Sequence, residues 1–187
     1  EYLDGRSLRD IVESEREFVD GRDLFEIGYR ICRAASFLHR NGILHRDIKP
    51  DNVLFRGEKP VLIDFSSSVA DAVQSDDNIL FHDNGFLAPE ITEMSEELDD
   101  LEGGGPESDV YSCGKILHYL ATGEEMYAKD TPEGGISSTR LGGRYDVSGI
   151  VSKATSLYPS ERYRNCTEMV DDLIQETGVL STWEYCT

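Results

Sequence analysis

A mainly α-helical fold with one small β-hairpin is what this amino-acid sequence predicts. Three observations lead there. Apolar residues recur at helical spacing between Asp23 and Arg40. Tyr111 to Ala121 is apolar enough for a buried helix. Between them, the short apolar runs Val53-Leu54-Phe55 and Val61-Leu62-Ile63 flank Arg56-Gly57-Glu58-Lys59-Pro60, which signals a hairpin.

The elements follow in chain order. Ser7-Leu8-Arg9-Asp10 has the form of a capping box, in which a hydroxyl and a carboxylate three residues on satisfy each other's amide; it opens a short helix. The longer helix then carries Leu24, Ile27, Ile31, Ala34 and Leu38 on one apolar face, and Asn41-Gly42 stops it. After the hairpin comes the buried helix, with Gly123 at its C-terminal end. Asn165-Cys166-Thr167-Glu168 reads as a second capping box, opening a last helix that Gly178 ends. Ser95 to Gly105 is acid-rich with three consecutive glycines, and Ala128 to Arg144 is rich in Gly, Ser and Thr; both read as surface loops. There is no internal repeat.

A chain of 187 residues makes one domain, or one large lobe of a bilobal domain, and buries roughly 70% of its unfolded surface. Its hydrophobic content of 39% is that of a globular protein. No apolar run approaches the ~20 residues of a membrane span. Glu1-Tyr2-Leu3-Asp4 has neither the basic region nor the apolar stretch of a signal peptide. Cys32, Cys113, Cys166 and Cys186 are scattered without a Cys-x-x-Cys pair, which fits reduced thiols in a cytoplasmic protein. Cys113, in the apolar helix, reads as a small core residue.

The charge is strongly acidic: 37 Asp and Glu against 18 Lys and Arg, a net charge of −19. That excludes nucleic-acid binding, which needs a positive face for phosphate contacts. It leaves attraction of basic peptide substrates, or adaptation to concentrated salt that screens carboxylate repulsion. The spread of acids along the whole chain favours the second. The run Glu96-Glu97-Leu98-Asp99-Asp100 reads as a solvated segment.

The chemistry-bearing residues fall between Ile43 and Phe65. His45-Arg46-Asp47-Ile48-Lys49-Pro50-Asp51-Asn52 is followed twelve residues later by Asp64-Phe65-Ser66, and then by Ala88-Pro89-Glu90. In this order and spacing, the three strings resemble the catalytic loop, the metal-binding loop and the activation-segment end of a eukaryotic-type (Hanks-type) protein kinase. Lys49 points to the Ser/Thr branch, and the likeness is best to bacterial and archaeal members. Phosphoryl transfer needs an acceptor hydroxyl in line, negative charge neutralised and metal ions held. Asp47 is suited to accept or orient the hydroxyl proton, and Lys49 to place positive charge on the transferring group. Asn52 and Asp64 supply hard oxygen donors for Mg²⁺. The hairpin folds the chain back and brings these two together.

The resemblance covers nearly the whole chain and implies a kinase C-terminal lobe, one domain over residues 1–187, that acts with ATP and Mg²⁺ on a protein Ser or Thr. By the same resemblance, Glu1-Tyr2-Leu3 is the hinge that reads adenine, and Leu54 is the apolar floor beneath it. Ser108 to Gly114 starts the buried central helix, where Asp109 braces the catalytic loop. Tyr158 to Tyr163 carries Arg162, which pairs with Glu90. His45 is a packing and hydrogen-bonding residue. Arg46 couples activity to a negative charge on the activation segment.

Departures from the family are specific. No Gly-x-Gly-x-x-Gly occurs and no lysine follows a Val-Ala-Ile strand, so the ATP-covering lobe is expected to come from upstream sequence or a separate chain. Ser66 stands where the family has glycine, which removes backbone freedom at that turn. Asp83 stands where Ser/Thr kinases carry threonine. The segment from Glu90 to Asp109 is longer than usual, and the Gly-rich stretch after Gly123 poorly matches the substrate-docking helix.

Three functions come into question for such a chain. The first is a Ser/Thr protein kinase catalytic lobe, cytoplasmic, with no nucleic-acid or membrane partner. The second is a non-catalytic kinase-like lobe that works by binding a partner. The third, a small-molecule kinase such as an aminoglycoside phosphotransferase, shares the Asp-to-Asn spacing but not Ala88-Pro89-Glu90 or the Asp109 segment. Between Asp64 and Glu90 the only phosphorylatable residues are Ser66, Ser67, Ser68 and Ser75. Either one of the carboxylates here, Asp76 or Asp77 first, permanently supplies the charge that Arg46 requires, or they are loop acids like the others.

Overall fold

In a computed structural model, the described residues are 4–14, 21–70, 85–92, 104–126 and 146–177. Helices α1 (Leu8–Ser14), α2 (Gly21–Arg40), α3 (Pro106–Thr122), α4 (Ser148–Ala154) and α5 (Cys166–Thr177) dominate. Four short strands join them: β1 (Ile43–Leu44), β2 (Val53–Arg56), β3 (Lys59–Leu62) and β4 (Val69–Ala70). The predicted mainly helical chain with a hairpin is observed.

The hairpin is tighter than its sequence suggests. Arg56 pairs with Lys59, so the turn is the two residues Gly57 and Glu58, and Pro60 lies within β3 opposite Phe55. A proline is tolerated there because the amide of Phe55 points away from β3, to the carbonyl of Arg6 at 3.1 Å. Phe55 and Pro60 thus form a pair that exchanges no hydrogen bond, and the missing proline N–H goes unneeded. A second antiparallel pair, Ile43 with Ala70 and Leu44 with Val69, was not expected. Two-residue strands show no periodicity, and these partners lie far apart in sequence.

Helices α2, α3 and α5 enclose the core, where Phe25, Ile31, Cys32, Ile116, Leu120, Met169 and Leu173 are fully buried. Each large apolar side chain contributes about 1.5–3 kcal/mol by leaving water. The buried stripe of α2 runs through Leu24, Phe25, Tyr29, Ile31, Cys32 and Ala35. Ile27, Ala34 and Leu38, expected on the same apolar face as Leu24 and Ile31, are only partly buried and pack against the core from its flank. The stripe turns toward Gly28 because a Cβ there would lie 2.5 Å from Leu117 Cδ2, so the bare glycine lets α2 and α3 close up.

Local chemistry sets the helix ends. Ser7 and Asp10 form the reciprocal capping box: the Ser7 amide donates to Asp10 Oδ2 at 3.0 Å, and the Asp10 amide to Ser7 Oγ at 3.1 Å. Asn165 Oδ1 accepts from the amides of Thr167 and Glu168 at the start of α5. Glu168 does not reach back to the Asn165 amide; it accepts instead from the amide of Arg164, one residue earlier. Gly123, at φ +76°, closes α3 by donating to the Tyr119 carbonyl at 2.7 Å. Helix α3 begins at Pro106, two residues before Ser108, where the resemblance places its start, because proline suits the first helical position. Helix α4 was not anticipated. Gly178 and most of the two expected loops lie outside the described residues, as do Glu1, Leu3, Asp76, Asp77 and Asp83.

Candidate active site

The run from His45 to Asn52 leaves β1, turns through Pro50–Asn52 as a single 3-10 turn, and enters β2. Within it, Asp47, Lys49 and Asn52 converge. Lys49 Nζ lies 2.7 Å from Asp47 Oδ2, and Asn52 Nδ2 donates to the same oxygen at 2.8 Å and to the Asp47 carbonyl at 2.9 Å. Asn52 is 6% exposed. With its amide nitrogen committed to Asp47, its carbonyl Oδ1 is the atom suited to a cation.

The hairpin brings Asp64 to this place. The Ile63 amide donates to the Asn52 carbonyl at 2.9 Å, so Asp64 follows directly on the residue that pairs with Asn52. Asp64 sits in the left-handed region at φ +61°. Its Oδ1 accepts from Ser66 Oγ at 2.6 Å and from the Ser66 amide at 3.2 Å. The Ser66 hydroxyl, then its amide, hold the Asp64 carboxyl below its ordinary pKa, with smaller contributions from the charge of Lys49 and from His45. Phe65 packs on the His45 ring at 4.9 Å and is otherwise half-exposed.

Beneath the loop lies Asp109, in the first turn of α3 and 1% exposed. Its Oδ2 accepts from the amide of His45 and its Oδ1 from the amide of Arg46, both at 2.8 Å. Two consecutive backbone donors of the loop are therefore fixed by one buried carboxylate. His45 is fully buried, and its Nε2 lies 3.2 Å from the Ile63 carbonyl, which ties the two loops together. Arg46, at φ +65°, donates to the Gly104 carbonyl at 3.3 Å.

Glu90 and Arg162 form a separate buried group. Arg162 NH1 and NH2 reach Glu90 Oε1 and Oε2 at 2.6 and 2.9 Å, and both side chains are fully buried. Ser108, next to Asp109 in sequence, donates to Glu90 Oε1 at 2.8 Å. Leu54 is half-buried in β2, opposite Val61 and bridged to Ser7.

Sequence reasoning missed two supports. His39 Nδ1 accepts from the Cys166 amide at 3.2 Å, so its Nε2, 3.0 Å from Asp109 Oδ2, is the donor to that carboxylate. Arg9 Nε donates to both oxygens of Asp51, at 2.9 and 3.0 Å, and its NH1 to Glu125 at 2.6 Å. It therefore pins the turn that carries Asn52. Nothing local signals either pairing, since each joins residues distant in sequence.

The donor set fits a hard divalent ion. Mg²⁺ takes one or two protein oxygens and completes its shell with water and substrate phosphates, and Asn52 and Asp64 provide that number. No cluster of three or more His, Cys, Asp or Glu able to hold a metal occurs among the described residues. No described helix is long and apolar enough to cross a membrane.

Comparison with known proteins gives a consistent result. Residues 1–178 match the protein kinase domain family. The chain is 32% identical over 187 residues to serine/threonine-protein kinase PknB of Mycobacterium tuberculosis, which covers 94% of this chain and 29% of that protein. It is 25% identical over 190 residues to a probable serine/threonine-protein kinase of Clostridium acetobutylicum, covering 92% of this chain and 27% of that one. A third relative is the probable serine/threonine-protein kinase PkwA of Thermomonospora curvata, 31% identical over 130 residues, or 70% of this chain and 17% of the relative. The chain thus spans less than a third of the length of the relatives it matches. It belongs to the protein kinase domain family, as a Hanks-type member similar to the bacterial serine/threonine kinases.

Proposed function

We propose that residues 1–187 form the C-terminal catalytic lobe of a serine/threonine protein kinase, a single domain that transfers the γ-phosphate of Mg-ATP to a protein Ser or Thr. The observation that carries this reading is the convergence of Asp47, Lys49 and Asn52, with Lys49 and Asn52 at 2.7 and 2.8 Å from one Asp47 oxygen. A lobe that only binds partners has no need of that set. Asp47 receives or orients the acceptor hydroxyl's proton. Lys49, already at its carboxylate, brings positive charge to the oxygens of the transferring group. Asn52 and Asp64 hold Mg²⁺, which when bound neutralises phosphate charge. Asp109 keeps the loop in place through the His45 and Arg46 amides, so that little reorganisation is needed at the moment of transfer.

The glycine-rich loop and strand lysine of the family are not in these residues, and this reading takes them from an N-terminal lobe outside them. Glu1, Leu3 and Leu54 would then face the adenine between the lobes. A cytoplasmic site of action, where ATP is available, agrees with the free, buried thiols of Cys32, Cys113 and Cys166. The alternative reading is a kinase-like lobe that acts by partner binding.

One experiment separates them. In the protein joined to its N-terminal lobe, Asp47→Asn is expected to lower transfer to a Ser or Thr peptide by about 10²–10⁴-fold while nucleotide binding persists. Full activity of that variant rejects Asp47 as the base. No transfer by the unmodified two-lobe protein supports the partner-binding lobe.

A further inference from the structure

The residue after Asp64-Phe65 is a serine where the family has glycine, and its hydroxyl is not idle. We propose that Ser66 is a positioning residue of the metal site, holding Asp64 Oδ1 so that Oδ2 is presented to the divalent cation. The inference rests on the reading of Asp64 as a metal ligand. Three observations carry it. Ser66 Oγ and the Ser66 amide both donate to the same oxygen, at 2.6 and 3.2 Å. Asp64 is exposed, so no surrounding wall fixes its carboxylate, and these two bonds set its rotation. Asp64 is also in the left-handed region at φ +61°, a conformation that a free turn would readily leave. The Ser66 hydroxyl closes the turn on the side-chain level, and the Ser68 amide, bonded to the Phe65 carbonyl at 3.1 Å, closes it on the backbone. A hydroxyl clamp therefore replaces the flexibility that glycine would give with a preset carboxylate.

The test titrates Mn²⁺ alone into the ¹⁵N-labelled 187-residue chain and follows paramagnetic broadening of the amides of Asn52, Asp64 and Ser66. Reading those amides separates the site from loose binding to the acidic surface. Ser66→Ala is expected to weaken Mn²⁺ binding there about tenfold, at the lower end of outer-shell effects on metal affinity. Ser66→Thr, which keeps a hydroxyl able to bond Asp64 Oδ1, is expected to stay within about twofold of the parent chain, well short of the loss on deleting an outer-shell group. Ser66→Gly should weaken it at least as much as Ser66→Ala. A purely structural serine would shift the melting temperature of Ser66→Ala and leave the Mn²⁺ affinity unchanged, which overturns the proposal. Tighter binding by Ser66→Ala also overturns it, since the hydroxyl would then compete with the metal. Asp64→Asn tells the two levels apart. If it removes the broadening while Ser66→Ala matches the parent, only the role of Ser66 falls. If it leaves the broadening intact, or the parent shows none, the metal site itself is refuted.

Discussion

Breaking the Glu90–Arg162 pair should be among the costliest single changes in this protein. A guanidinium has five N–H donors, and all five are used. Two go to the Glu90 oxygens at 2.6 and 2.9 Å. The others go to the carbonyls of Ser156, Leu157 and Glu107 at 2.7, 2.9 and 3.2 Å. The Tyr111 ring lies beneath the guanidinium at 4.8 Å. Arg162→Met leaves the Glu90 carboxylate buried with the Ser108 hydroxyl and no cation, at a cost of about 3–5 kcal/mol. Glu90→Gln turns one acceptor into a donor facing Arg162 and should cost a similar amount. For a chain of this size, each kcal/mol lowers the melting temperature by about 2–4 °C, so either variant should melt roughly 6–20 °C lower. Replacing both residues removes both charges but leaves three carbonyls short of a donor. The double variant Glu90→Leu/Arg162→Met should therefore be destabilised, but by much less than the sum of the singles. Urea denaturation followed by circular dichroism measures all three. A single change costing under about 1 kcal/mol, or singles that simply add, would refute the account of a desolvated, mutually dependent pair.

Two further outcomes are expected. With a net charge of −19, the melting temperature should rise from low to molar KCl, as the screening length falls from ~30 Å at 0.01 M to ~3 Å at 1 M; a flat or falling trend rejects salt adaptation. Hydrogen bonding among the sulfurs and burial push the thiols of Cys32 and Cys113 well up, and burial raises that of Cys166. None of the three should label with a thiol reagent before unfolding, and rapid modification of Cys113, mapped by mass spectrometry, would contradict that.

What the residues made legible by themselves was local or linear; the distant Glu90–Arg162 pair and the hold of Asp109 on the His45–Arg46 amides were expected only from the family resemblance. Ser7 and Asp10 lie three residues apart, so their mutual capping can be read directly. The same holds for Asn165 as the cap of α5 and Gly123 as the end of α3. Asp47, Lys49 and Asn52 are visible because one short loop carries them, and its turn suffices to bring them together. The failures share a cause. The pairing of β1 with β4, the bond from His39 to Asp109 and the bond from Arg9 to Asp51 all depend on tertiary packing between distant segments. The buried stripe of α2 was displaced for a related reason: hydrophobic periodicity finds an apolar face, but Gly28, counted as neither apolar nor polar, decides where α3 meets it. Ser66 was visible as a departure, yet its effect could be read only as lost backbone freedom. The compensating hydroxyl bond exists only once the turn is folded.

Two non-glycine residues of the described chain have positive φ, Arg46 at +65° and Asp64 at +61°, and both belong to the candidate site. Each such residue costs of order 1 kcal/mol or more and persists only where its surroundings over-determine it. The two are held differently. Arg46 is fixed from below: its amide is bound by Asp109, which His39 and the His45 amide also engage, and His39 is in turn anchored on the first residue of α5. The conformation of the loop that carries Asp47 is thus tied to the packing of α2, α3 and α5. Asp64 is exposed and is held by its own neighbour, Ser66. Under the proposed function, a loop that places Asp47 and Lys49 on a reacting hydroxyl gains from attachment to the core, because small misplacements are expensive in rate. Under the same proposal, a carboxylate that accepts a metal-bound nucleotide gains from a restraint that costs little to adjust. The difference in support follows the difference in task.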